Sequence, residues 1–279
     1  IAVLTTTNVS AIQTDDLVAL TSAQVAALTT TQVNQGLTSE QVIALTTAQA
    51  QFLTSAQIAA LTTANVAVME TADLAALKTN QITALTTAQI NLGLTSEQMS
   101  TLTTAQVAAL TTAQVAQGLT TDQVIALTTA QAQALTASQL AALSTANVAA
   151  METTDLAALK TAQVAALTTT QVAQGWTSDH VIALTTEQVG ALTTGQLRAL
   201  STANVAAMET RDVAALKTNQ IAALTTTQIN QGLTSDQVIA LTTAQVAALT
   251  TAQINQGLTT EQVASLTTAQ VQALGATQI

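Results

Sequence analysis

The chain has 279 residues, with 15 acidic and five basic side chains and a net charge of −10. Five scattered Lys and Arg exclude a nucleic-acid binder, which needs clustered positive charge. An apolar share of 48 % excludes a disordered chain, and one His with no Cys leaves neither a metal-ligand set nor a nucleophile triad.

The first unit opens at Leu4, and from there the sequence is one repeat, L-T-[TS]-x-Q-[VI]-x-A. Openers run from Leu4 to Leu274 in 34 copies, with Ile12, Met69, Met151, Met208 and Trp176 standing in for Leu. Of the 33 steps between openers, 27 are eight residues long and six are nine. Internal repetition of this kind is read before any other signal. It makes residues 1–279 a single continuous repeat domain. The pattern is already running at Ile1 and still running at Ile279, so a segment of a longer chain is expected.

Each unit predicts one short helix. Thr followed three residues later by Gln is a capping box, and the Leu before and Val after occupy the positions of a hydrophobic staple. Thr29 with Gln32, Thr120 with Gln123 and Thr234 with Gln237 are the cap pairs to examine. Leu28, Val33, Leu119, Val124, Trp176 and Leu233 are candidate core residues. Glu40, Glu97, Asp122, Asp179, Asp236 and Glu261 fall in first turns, where the helix dipole favours negative charge.

One continuous helix is excluded, because an eight-residue period would rotate the Leu stripe by roughly 80° per unit. Helices of one to two turns do not survive alone, so they must stack into a solenoid held by neighbour contacts. The expected fold class is all-α: a solenoid of very short capped helices, 8–9 residues per unit and about 3–4 units per turn. A β-solenoid is the competing reading, since Val, Ile and Thr favour strands. Missing alternation and abundant Ala, Gln and Leu count against it.

The nine-residue units end in Gly36, Gly93, Gly118, Gly175, Gly232 and Gly257. A glycine before the next opener predicts a left-handed helix terminus. A second marker, M-E-T-x-D-[LV]-A-A-L-K, recurs at Met69, Met151 and Met208, with a degenerate copy at Ile12. Spacings of three, seven and ten repeats would place each marker on one face of a coil with about 3.4 units per turn. Ten such turns at roughly 8–10 Å each would make a rod on the order of 80–100 Å. In the second marker Glu70, Glu152 and Glu209, then Lys78, Lys160 and Lys217, replace the capping Thr. The cap there is expected to pass to Thr71 or Thr79, or two units to fuse, with a Glu–Lys pair across the corner.

No catalytic, cofactor or metal residue is expected. His180 sits in a Gln slot and reads as a substituted cap. Asp15 with Asp16, or Glu70 with Asp73, could form an acid–base pair, but acids at helix starts are more often dipole partners. No run of about 18 apolar residues exists for membrane insertion.

The L-T-T-x-Q-V-A-A-L array resembles the low-complexity repeat regions of giant bacterial secreted surface proteins of the S-layer-like or adhesin-like kind. The resemblance implies an extracellular or cell-surface stalk, sheath or filament segment whose partners are other copies of itself, associating through a regular Thr/Gln surface. Its alternative implication is an adhesin module recognising a cell-surface polysaccharide.

Overall fold

A computed structural model describes residues 1–279. It contains 29 α-helical and four π-helical segments and no strand, each helix four to seven residues long. The chain forms two compact segments, Ile1–Leu143 and Ser144–Ile279, built on the same local rules.

The break between helices is a two-residue extended step. In a representative corner Leu45 has φ −57° and ψ 137°, and the N-cap Thr46 has φ −79° and ψ 155°. The Thr46 hydroxyl accepts from the Gln49 amide, and the Gln49 side chain returns to Thr46. The repeat therefore writes a stop and a start signal into every eight residues. The 34th unit keeps only a turn, although its Gly275 N–H still donates to Gln278 Oε1 at 2.7 Å.

Within each segment, helices three units apart stack. Ser22–Ala26 packs on Thr47–Phe52, and that on Thr71–Ala76. In the second segment Thr145–Ala150 packs on Thr169–Gly175, and that on Thr194–Ala199. The chain thus closes a circuit every three to four units. Between the end units the Val or Ile slot points inward and is covered, as at Val33, Ile58 and Val205, and the openers line the corners at 2–7 % exposure; in the last units Val263 and Val271 are exposed. Leu28, Val33, Leu119, Val124, Trp176 and Leu233 all lie in this interior.

The glycines differ from expectation. None has a positive φ, so no left-handed terminus exists. The ninth residue is absorbed inside the helix instead. Four of the six long units are π-helical, at Gln89–Gly93, Gln114–Gly118, Gln228–Gly232 and Gln253–Gly257. Gly36 likewise follows a bond from the Leu37 amide to the Gln32 carbonyl, five residues back. The widened turn drives its last residue into the neighbouring coil. A Cβ at Gly118 would lie 3.1 Å from both Cβ and Cγ2 of Ile90, and one at Gly93 3.0 Å from the Thr63 carbonyl oxygen. Glycine is required for close approach, not for its dihedral freedom. Gly118→Ala should therefore cost about 1–3 kcal/mol by overpacking. Gly190→Ala should be neutral or stabilising by up to about 1 kcal/mol, because that Cβ would meet nothing nearer than 3.9 Å. Urea titration of the two variants checks the contrast, and equal effects would contradict it.

The marker spacings also separate. Glycines three units apart do stack: Gln89–Gly93 lies on Gln114–Gly118, and Gln228–Gly232 on Gln253–Gly257. Those seven units apart do not, because seven is not a multiple of three. Gly36 belongs to the stack of Thr6–Ser10 and Ser55–Ala60, while Gly93 belongs to that of Thr63–Ala67. The Met-Glu corners behave alike. The helix after Met151 packs on Ser178–Ala183, whereas the one after Met208 packs on Thr186–Ala191 and Ser235–Ala240. They form no common column.

Candidate functional site

The one polar arrangement that recurs throughout is a ladder built from the Gln of each unit. Short helices leave their last carbonyls without intrahelical donors. A Gln amide offers an acceptor and two donors on one side chain, and here all are used. Gln57 Oε1 accepts from the Thr54 amide at 2.7 Å. Its Nε2 donates to the Val25 carbonyl at 3.0 Å and the Leu28 carbonyl at 2.8 Å, in the preceding circuit. One side chain thereby caps its own helix N-terminus and the C-terminus of a helix about thirty residues earlier.

The three cap pairs named from sequence show the same geometry. Gln32 returns to Thr29 at 2.7 Å and reaches the Leu4 carbonyl at 2.7 Å. Gln123 returns to Thr120 at 3.0 Å and reaches Ile90 and Leu94 at 2.7 and 2.6 Å. Gln237 returns to Thr234 at 2.9 Å and reaches Val205 and Met208 at 3.0 and 2.7 Å. These glutamines are buried, at 2–3 % exposure. The outer surface is therefore not the regular Thr/Gln face expected from sequence. It keeps Thr hydroxyls, but the repeat's Gln is spent inside.

His and Asn in the slot keep its bond to the earlier circuit. His180 Nδ1 lies 3.1 Å from the Thr177 amide, and its Nε2 lies 2.9 Å from the Met151 carbonyl. The amide can only donate and the carbonyl only accept, so Nε2 carries the proton. The imidazole reproduces the acceptor-and-donor pair of Gln. Asn204, one methylene shorter, still reaches the Trp176 carbonyl at 3.0 Å. The Trp176 indole nitrogen itself is buried without a partner.

The Met-Glu corners depart from both expectations made for them. No cap passes to Thr71 or Thr79, and no units fuse. Glu70 is the N-cap of Thr71–Ala76 and makes no side-chain cap bond, and Lys78 precedes Thr79–Ile82. Lys78 keeps half a box, its amide donating to Gln81 Oε1 at 2.7 Å, since an ammonium has no lone pair to accept with. No Glu–Lys pair forms. Lys78 Nζ sits 5.3 Å from the Phe52 ring centroid, and the ion pairs belong to Arg211, with Glu209 at 2.6 Å and Asp212 at 3.7 Å.

The two acid pairs are placed differently. Asp15 and Asp16 are exposed first-turn residues. Glu70 is exposed while Asp73 is buried, its Oδ1 accepting from the Thr47 hydroxyl at 2.7 Å. Glu70 and Glu97 line one open cleft, Glu209 and Asp236 another. No group of three or more His, Cys, Asp or Glu is placed to hold a metal ion. No helix is long and apolar enough to cross a membrane.

Comparison with curated proteins gives no match. Among solved structures, the leucine-rich repeat-containing protein LegL7 from Legionella pneumophila aligns over 88 % of this chain and 79 % of its own, at 11 % identity and a TM-score of 0.20. A score that low carries no statement about fold or function. The family model of the ALTTAQ repeat matches residues 9–47, 66–104, 99–129, 148–186, 205–243 and 240–268. These matches span more than half of the sequence and fall on the capped, glutamine-bridged units just described, and the chain belongs to the ALTTAQ repeat family.

Proposed function

We propose that this chain is a non-enzymatic structural segment, a spacer, stalk or filament element of a secreted or cell-surface protein that associates with further copies of itself. The observation that carries the reading is the ladder. The polar side chain of nearly every unit is committed to holding one circuit to the last, and the chemistry left over is small hydroxyl and methyl groups. Such an architecture multiplies one internal contact along the chain. Repeat proteins gain stability by adding such neighbour contacts, which suits a part whose task is extent and persistence. With Gln withdrawn into the interior, association between copies would rest on the exposed Thr and Ala of the outer face.

Sedimentation and electron microscopy of the purified chain, with a glycan-binding screen in parallel, test this. Filaments or ordered lateral arrays would support it. A monodisperse particle that binds polysaccharide would overturn it in favour of an adhesin module.

A further inference from the structure

Consecutive units place Asn65 and then Asp73 in the Gln slot, and these two side chains have the same length. Asn65 Oδ1 accepts from the Ser39 hydroxyl, 26 residues back, at 3.3 Å, and its Nδ2 donates to the Leu37 carbonyl, 28 residues back, at 3.2 Å. Asn204 repeats this with Ser178 at 3.5 Å and Trp176 at 3.0 Å. Asp73 Oδ1 accepts from the Thr47 hydroxyl, again 26 residues back, at 2.7 Å. In the register of Asn65, the carbonyl 28 residues back from Asp73 is that of Leu45. Asp73 is 3 % exposed, and its Oδ2 is buried with no partner. Leu45 is also buried. Where the neighbouring Asn65 and Gln81 present an N–H to a carbonyl, an ionised Asp73 presents an oxygen. Two acceptors facing each other in a covered corner are unfavourable.

We propose that Asp73 is a proton-binding site, its carboxyl held neutral in the folded chain with the Oδ2 proton donated to the Leu45 carbonyl, so that this corner tightens when protonated and loosens when the proton leaves. The surrounding charges agree. Burial raises the carboxyl's hold on its proton, the Thr47 hydroxyl bond lowers it, and Glu70 raises it. Of the two helices packed on Thr71–Ala76, Thr47–Phe52 carries no ionisable group and Ser96–Thr101 carries only Glu97, another acid. Lys78 at the next corner is turned over Phe52. The third copy differs: Arg211 lies 3.7 Å from Asp212 Oδ1, while the residue before Asp73 is Ala72. A folded chain that holds the proton more tightly than the unfolded chain is most stabilised below the ordinary Asp range. It loses that contribution as the pH rises through the folded value.

The test uses the whole chain with carboxyl-labelled aspartate. In an NMR titration the signal that Asp73→Asn removes should titrate above the ordinary aspartate range. Asp73→Asn fixes the donor at all pH. It should raise the melting temperature at pH 8 by a few degrees, with the advantage shrinking toward pH 4. Asp73 titrating within or below the ordinary aspartate range would overturn the proposal. So would a variant no more stable than the parent at pH 8. A calcium- or sodium-dependent gain at pH 8, seen in the parent but not in the variant, would also overturn it, because the oxygen would then hold a metal ion.

Discussion

Gln131→Ala should lower the stability of the chain by about 2–4 kcal/mol, well beyond the roughly 1 kcal/mol expected when an N-cap is removed. Gln131 accepts from the Thr128 amide at 2.8 Å and donates to the carbonyls of Met99 and Leu102 at 2.9 and 2.7 Å. Each such bond is worth about 0.5–1.5 kcal/mol net, and a buried partner left alone costs more. Gln131→Glu should be worse, about 3–5 kcal/mol, because it sets an unpaired charge against those carbonyls. Thr128→Ala touches only the local cap and supplies the reference. Urea denaturation ranks the three variants. Hydrogen exchange adds a readout that capping alone would not move: amides around Ser96–Thr101, the helix whose carbonyls Gln131 holds, should lose protection in Gln131→Ala. Equal losses for Thr128→Ala and Gln131→Ala, with that helix still protected, would reduce the ladder to a set of ordinary caps.

What the sequence makes legible is what lies within one unit. Thr, Gln, Leu and Val stand within six residues of each other, so the capping box, the corner and the inward slot all follow from local chemistry. The second half of Gln's role depends on carbonyls 28 to 33 residues away, and nothing in the repeat marks which they are. Part of its signal lay in some of the substitutes, although Asp73, Asp155 and Asp212 stand in the same slot without an N–H donor. Asn65, His180 and Asn204 each retain a hydrogen-bond donor, which a pure N-cap partner would not need. The glycines misled for a related reason. A ninth residue can be taken up by a left-handed terminus or by a widened turn, and the choice is made by Ile90 or Val66 in the neighbouring circuit. The spacing of seven units carries no shared stack, since stacks advance in threes.

The interior slot shows the same dependence on distant partners, and it sets the second large effect. Ala50 and Ala132 occupy positions that are Val, Ile, Leu or Met elsewhere, yet both are buried at 0–1 % exposure. Ala50 lies in the stack of Val25 and Leu74, between the helices that carry them. A small residue there leaves room that the longer Leu74, itself fully buried, is suited to fill. Leu74→Ala should then stand at the upper end of the about 2–5 kcal/mol range for core Leu truncation, because the void would join the space beside Ala50 and the cost rises with cavity volume. Leu127→Ala, at a 7 % exposed corner, should fall at the lower end. Ala50→Leu alone should overpack the stack and cost about 1–3 kcal/mol. Combined with Leu74→Ala it should restore much of the loss, since the volume is conserved within one stack and residues in contact do not add. Denaturant unfolding of the two singles and the double closes the cycle. Strict additivity would mean that Ala50 and Leu74 do not share a cavity, and that each circuit packs without regard to the next.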